Sequence, residues 1–342
     1  MISKLNRIIA ACAAALVVVT LATAQEGAKP AGDKILNKLS VTKGQVLWFK
    51  SAMNMTQEID MGGQGFNVVV DVNRYISVTV GEVKPDAVEA ELKVGRVWGA
   101  AEIPMQGEVT FDSDKPSEDD GGMMGGLSAV TKLAGKRFKV VFDATSRVKS
   151  VEAIDKIEGG MMGQNPGEAI KAELESIFGM IPAEGRAVGE KWEAKQSTNL
   201  QQVRAAIKGE ATLSKADANE FSVAFNAKID AETLKASMAD VPEEQKAMLE
   251  SMTIEDGNVA SNVRISRKDG LVLAADATSK MSMSMDSPAG DGGSMTINMT
   301  MSQKMERTEA PKAAESKPAE KKAEEKPAEK PADKPAEKKD GN

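Results

Sequence analysis

Ten stretches of this chain are rich in Val, Phe, Tyr, Trp, Thr and Met, several alternate apolar with polar residues, and short turn-forming segments part most of them. The first half holds 45–49, 66–80, 87–97 and 137–142, punctuated by Asn73-Arg74 and Lys84-Pro85. The second half holds 190–198, 202–213, 220–229, 259–267, 271–285 and 294–305. Strands this close together cannot be joined by the dozen or more residues that a parallel crossover needs, so neighbours must run antiparallel. Asp269-Gly270, between two of the runs, predicts a tight hairpin turn that uses positive φ. The expected fold class is mainly β (α+β). It is a large curved antiparallel sheet or half-barrel of about ten to twelve strands, because sheets of that size tend to curl.

Helix signals are few and well marked. Asn165-Pro166-Gly167-Glu168 supplies an N-cap, a first-turn proline and a capping glutamate. Ile170, Leu174, Ile177 and Phe178 then form one apolar stripe, and Gly179 closes it. Asp240-Val241-Pro242-Glu243 opens a second helix in the same way, with Met248, Leu249 and Met252 on its buried side, and a weaker helix spans 231–238. These few helices are expected to cover one face of the sheet.

Both ends stand apart from the strand pattern. Lys4 and Arg7 precede an apolar run from Ile8 to Leu21, and Ala22-Thr23-Ala24 offers the small residues that a signal peptidase needs. Residues 1–24 therefore predict a signal peptide cut between Ala24 and Gln25, and an exported protein, periplasmic or extracellular. Cys12 sits inside the apolar run rather than after it, which disfavours lipid attachment there. Residues 25–39 are expected to be a flexible lead-in and 40–307 the sheet domain. The tail, 308–342, repeats Lys-Pro-Ala-Glu without one aromatic or branched aliphatic residue beyond Thr308. Such a composition buries too little to offset chain entropy, and recurrent proline blocks a continuous helix. A disordered spacer is expected, with contact to the envelope or cell wall as its functional version.

After cleavage the chain has no cysteine and no histidine. Disulfides, Cys- or His-ligated zinc, and Ser-His or Cys-His nucleophiles are thereby excluded. Carboxylate, Lys, Tyr or hydroxyl chemistry survives, but no local motif points to it, so the expectation is a protein that is not an enzyme and needs no cofactor. Removing Lys4 and Arg7 takes the net charge from −7 to −9, while the nine Lys and nine acidic residues from Glu309 onward cancel. An acidic body does not favour nucleic acid or an anionic lipid surface. No stretch of the mature chain has the roughly 20 apolar residues of a membrane span.

The halves look alike at their openings: Val188-Gly189-Glu190-Lys191-Trp192 echoes Lys43-Gly44-Gln45-Val46-Leu47-Trp48. Three segments carry a family likeness. They are Lys43-Gly44-Gln45-Val46-Leu47-Trp48-Phe49; Gly135-Lys136-Arg137-Phe138-Lys139-Val140-Val141-Phe142-Asp143 with Arg147-Val148-Lys149-Ser150-Val151; and Ile181-Pro182-Ala183-Glu184-Gly185-Arg186-Ala187-Val188-Gly189-Glu190-Lys191-Trp192. Over roughly residues 40 to 305 the chain resembles a secreted bacterial β-rich family of unknown function. That family is similar in fold to the outer-membrane lipoprotein carrier (LolA/LolB-like) proteins. The resemblance implies a curved sheet capped by helices and carries over no catalytic residue.

Methionine is the unusual component, with twenty in the chain. Met281, Met283 and Met285 alternate with serine, Met295, Met299 and Met301 fall in one later run, and Met53 and Met55 repeat the spacing near the start. Period two sets the thioethers of one strand on one face and Ser or Thr on the other. Three readings follow. The methionines fill a core; or Met53, Met55, Met281, Met283, Met285, Met299 and Met301 line an adaptable site for a hydrophobic small molecule or lipid, gated by the Gly-Met connections at 121–126 and 159–163; or Met281, Met283 and Met285 bind Cu(I), which favours soft thioethers.

Trp48, Trp98 and Trp192 are expected at the core or rim. Asp112-Ser113-Asp114 with Glu118-Asp119-Asp120 lacks the glycine and distal glutamate of a calcium loop, and is expected to be a solvated loop. Three functions are thus open: a non-catalytic extracytoplasmic binding or carrier module, a structural envelope protein with the tail as spacer, and a Cu(I)-binding protein.

Overall fold

The computed structural model describes residues 32–61, 64–104, 107–115, 130–156, 166–200, 203–229, 252–286 and 294–311. The predicted signal peptide, most of the tail, the weaker predicted helix at 231–238 and the second predicted helix up to residue 251 lie outside these residues. Within them are twelve strands and one long helix. The strands are β1 (Val46–Met61), β2 (Gln64–Val83), β3 (Ala87–Ile103), β4 (Gly107–Asp112), β5 (Arg137–Asp143), β6 (Val148–Ala153), β7 (Lys191–Leu200), β8 (Val203–Ala216), β9 (Glu220–Lys228), β10 (Met252–Ser266), β11 (Val272–Asp286) and β12 (Ser294–Thr308). Helix α1 (Pro166–Phe178) joins β6 to β7. Met252, expected on a helix, instead begins β10.

All twelve strands form one mainly antiparallel sheet, in the order β6-β5-β3-β2-β1-β12-β11-β10-β9-β8-β7, with β4 also on β3. The first and last strands of the chain pair at its centre, through an unbroken register from Trp48↔Thr308 to Met61↔Met295. The sheet curls strongly. Ser146, in the β5–β6 turn, donates its hydroxyl to the Gly270 carbonyl in the β10–β11 turn at 2.6 Å. Five ladder steps separate β5 from β11, about 24 Å in a flat sheet at ~4.8 Å per step. Only strong curvature brings those turns together, and the sheet stays open between β6 and β7.

Helix α1 packs against both of those edge strands, so the connection between them also covers the gap. Its predicted stripe of Ile170, Leu174, Ile177 and Phe178 is buried, as is Ala172. It meets the inward residues of β5, where Phe138, Val140 and Phe142 are at most 4% exposed. Phe142 and Phe178 stack edge to face at 5.2 Å. A charged anchor fixes the helix over the middle of the sheet. Glu173 accepts from Arg74 of β2 and, at 2.6 Å, from the Gln303 amide of β12. Gln196 of β7 donates to the Ser176 carbonyl at 3.1 Å.

One turn recurs before three strands. In Thr42–Gln45, Leu133–Lys136 and Ala187–Glu190 the fourth N–H bonds back to the first carbonyl, at 3.1, 3.0 and 3.0 Å. The third residue is glycine at φ 83°, 81° and 86°, as a type II turn requires. Each such glycine then bonds the neighbouring strand, through Val80, Val94 and Leu213. The likeness of the two halves is this turn. The tryptophans do not correspond, because Trp48 lies four residues after its glycine and Trp192 three. Parity therefore places them on opposite faces.

The β10–β11 hairpin is longer than the two-residue turn expected. Ser266 and Leu271 close a four-residue loop in which Gly270 alone has positive φ, at 73°. Residues 34–40 run across this end of the sheet. Asn37, only 3% exposed, donates to the carbonyls of Thr145 and Gly270 at 2.9 and 3.0 Å. Ile35 pairs with Arg186 through two backbone bonds, and Ser40 bonds the Asp269 carbonyl at 2.9 Å.

Candidate functional site

The central register decides where the patterned methionines go. Residues directly opposite in an antiparallel pair share a face. Met55 stands opposite Met301, Met53 opposite Gln303, and Gln57 opposite Met299. On the other side of β12, Met281 faces Met299, Met283 faces Ile297, and Met285 faces Met295. Met285 also stands opposite Met252 of β10, and Met61 opposite Met295. Six of the seven candidates, Met53, Met55, Met281, Met283, Met299 and Met301, therefore lie on one face of three adjacent strands, β11, β12 and β1. It is the inward face, since Leu47, Phe49, Ser51 and Met305 share it and are buried.

The outward face of the same strands is polar. Ser282 bonds Asn298 at 2.8 Å, Asn54 bonds Asp71 at 2.7 Å, and Lys304 pairs with Glu306. The separation of thioethers from hydroxyls that period two predicts is thus present on three strands at once. Met295 extends the set on the same face and was legible by its odd parity with Met299 and Met301.

Burial divides the face. Met281 and Met283 are 3% and 2% exposed, while Met53, Met55, Met299 and Met301 are half-buried. Met53 and Met299 pack on the main core, together with Ile59, Ile254 and Met295. The face lies beyond the reach of α1. Thirteen helical residues span about 20 Å, whereas the 16 residues of β1 run about 53 Å. Helix α1 meets β12 at Gln303 and Met305, and the methionine stretch continues from 301 to 295 away from it.

Beneath α1 the sheet leaves an apolar crevice lined by residues that include Leu47, Phe49, Leu92, Phe142, Leu174 and Met305. Its enclosed volume is ≈ 30 Å³. That is room for about two waters, far below the roughly 300 Å³ at which ligand pockets begin. The helix thus fills its end of the trough, and the half-buried methionine stretch lies beyond it.

The other sequence candidates resolve into packing. Arg96 donates to Asp112 at 2.9 Å and pairs with Asp114 at 3.3 Å, so both carboxylates of this pair are engaged by one cation of the same sheet. The Arg96 hydrogen bond comes first among the causes that hold the Asp112 carboxyl below the usual range. Trp98 lies at 5.2 Å from Tyr75, with Arg96 over its ring, a rim position on the outward face. Trp192 packs on the core, and the Arg186 guanidinium lies over its ring. Glu118–Asp120 and both Gly-Met connections fall outside the described residues. Among the described residues, no three His, Cys, Asp or Glu side chains group to hold a metal, and no helix is long and apolar enough to cross a membrane.

Residues 157–272 match a family of unknown function, DUF6263. That span holds α1 and strands β7 to β10, and ends at the first residue of β11. No curated protein matches the chain. Among solved structures, a lipovitellin studied for its lipid–protein interactions aligns at 10% identity and TM-score 0.44, over 81% of this chain and 27% of its own. The chain thus spans about a quarter of that protein. An outer membrane channel from Pseudomonas putida F1 aligns at 6% identity and TM-score 0.23, over 80% of this chain and 98% of its own. An outer membrane lipoprotein-sorting protein domain from Vibrio parahaemolyticus aligns at 9% identity and TM-score 0.13, over 77% and 87%.

Proposed function

We propose that the protein is an exported, non-catalytic binding or carrier module that holds a hydrophobic ligand or lipid against the methionine face of its curved sheet. One observation carries the reading. Six sequence-patterned methionines fall on a single inward face, four of them half-buried, outside the segment that α1 fills. Unbranched thioethers adapt to irregular apolar shapes better than branched side chains do. A core needing only to be full would be served by the Val, Ile and Phe used under α1. The ligand lies along the strands rather than under the helix, where ≈ 30 Å³ is too little for it.

The test is titration of the mature chain with a fluorescent long-chain fatty acid, alongside native mass spectrometry of protein purified gently from its own host. Saturable binding is expected, and a lipid mass on the native protein. Met55→Gln with Met301→Gln places two amides at the centre of the face, one opposite the other. Losing about 1.4 kcal/mol of apolar contact weakens binding roughly tenfold. Unchanged affinity in that variant, with its circular dichroism intact, refutes the site. A bare polypeptide mass together with no fatty-acid binding refutes the function. Uptake of Cu(I) alone transfers Met281, Met283 and Met285 to the metal reading.

A further inference from the structure

Four of the half-buried methionines form a compact group. Met53 and Met55 of β1 and Met299 and Met301 of β12 occupy neighbouring positions on two paired strands, with Met55 directly opposite Met301. Directly opposed Cβ atoms lie about 5 Å apart, and diagonal neighbours about 7 Å. Two glutamines bracket the group, Gln303 opposite Met53 and Gln57 opposite Met299. Next to it, on the same face, Met281, Met283 and Met305 are 3%, 2% and 4% exposed.

We infer that Met53, Met55, Met299 and Met301 are a selective oxidation site, whose conversion to sulfoxides makes the ligand face polar. The ligand part of this inference rests on the function proposed above; the oxidation part does not. The oxidant is a two-electron peroxide. A thioether lone pair attacks one oxygen of hydrogen peroxide, the O–O bond breaks, the sulfur gains an S=O oxygen, and the other oxygen leaves as water. Sulfur is oxidised by two electrons and the peroxide is reduced by two, so no further reactant is needed.

Selectivity follows from access. Peroxide must approach the sulfur, and exposure is what separates these four from their three buried neighbours. The new oxygen is a strong acceptor, and the bracketing glutamines carry N–H donors on the same face. Gln303 gives one of its amide hydrogens to Glu173 at 2.6 Å and has a second. A sulfoxide is thus hydrogen-bonded where it forms, while the flexible apolar surface that a lipid needs is replaced by a polar, chiral one. The change is reversible by sulfoxide reductases, as a switch requires.

The test treats the mature full chain with graded hydrogen peroxide and maps added oxygen by peptide mass. Oxidation of the four half-buried methionines about tenfold or more faster than that of Met281, Met283 and Met305 is expected from their difference in access. Equal rates, or buried sites reacting first, overturn the site. Fatty-acid affinity is then measured on oxidised protein with an unchanged dichroism spectrum, and again after repair by sulfoxide reductases. A roughly tenfold fall that reverses on repair is expected. Selective oxidation with no change in affinity overturns the switch. In the variant with all four residues replaced by Leu, whatever fatty-acid affinity remains should be unchanged by peroxide, and a fall as large as in wild type overturns the assignment of the switch to these four. If untreated wild-type protein binds no fatty acid, the proposed ligand function fails while the oxidation map is judged on its own.

Discussion

Gly270→Ala should be far more damaging than Gly44→Ala, although both glycines hold positive φ. At Gly44, φ is 83° and nothing lies within 4 Å of an added Cβ, so the change carries only backbone strain. That strain is about 1–2 kcal/mol for a residue with a Cβ. At Gly270, φ is 73° and the new Cβ would collide with the backbone carbonyl of Lys38. Either residues 34–40 or the loop must then move. Movement endangers three hydrogen bonds: Asn37 to the Gly270 carbonyl at 3.0 Å, Ser146 to the same oxygen at 2.6 Å, and Ser40 to the Asp269 carbonyl at 2.9 Å. At a net ~1 kcal/mol each, these add about 3 kcal/mol to the strain. We therefore expect a loss of about 4–5 kcal/mol in Gly270→Ala against about 1–2 in Gly44→Ala. Equilibrium urea unfolding, followed by both tryptophan fluorescence and far-ultraviolet dichroism, measures the difference with the slope held as the check on the unfolded state. Equal losses in the two variants would refute the tight crossing of residues 34–40 over the hairpin, and with it the contact that reports the curl of the sheet.

The α1 anchor makes a second prediction. Glu173→Leu strands the Arg74 guanidinium, 17% exposed, and should destabilise by about 3 kcal/mol, whereas adding Arg74→Met should recover most of that; a double variant no better than the single would contradict the ion pair. The pH dependence is a third. Burial alone raises the Asp269 carboxyl, but hydrogen bonds from Arg307 at 2.8 Å and from the Leu271 N–H at 3.1 Å outweigh it and hold the group below its ordinary value. A depressed folded-state pKa means that the stabilisation is complete above the unfolded value near 4 and is lost as pH falls through the folded one. Thermal melting between pH 6 and pH 2.5 should fall less steeply in Asp269→Asn than in wild type, and parallel curves would exclude Asp269 as a contributor.

Much of the fold was legible because it rests on local signals. The alternation in 137–142 became the strictly alternating β5, and Asn165-Pro166 with Ile170, Leu174, Ile177 and Phe178 marked α1 to within a residue. Strand lengths were not legible. Residues 50–61 of β1 and 252–258 of β10 carry serine, asparagine, aspartate and glycine, which lower strand propensity, yet long paired neighbours hold them in the ladder. Strands β4 and β6 were missed for the same reason, since six residues with few branched side chains make a weak pattern.

By itself, then, the sequence determined that the chain is β-rich, without histidine and with a single cysteine at position 12, and built with methionine on one side of each patterned strand. These follow from composition and from a side-chain period of two, which any extended strand imposes. Tertiary structure decided which strands meet. Pairing β1 with β12 joins residues about 250 apart in the chain, a choice that no local pattern encodes, because register depends on summed contacts across the sheet. That choice turns three separate methionine patterns into one face, places α1 over the other end, and curls the sheet until Ser146 meets Gly270.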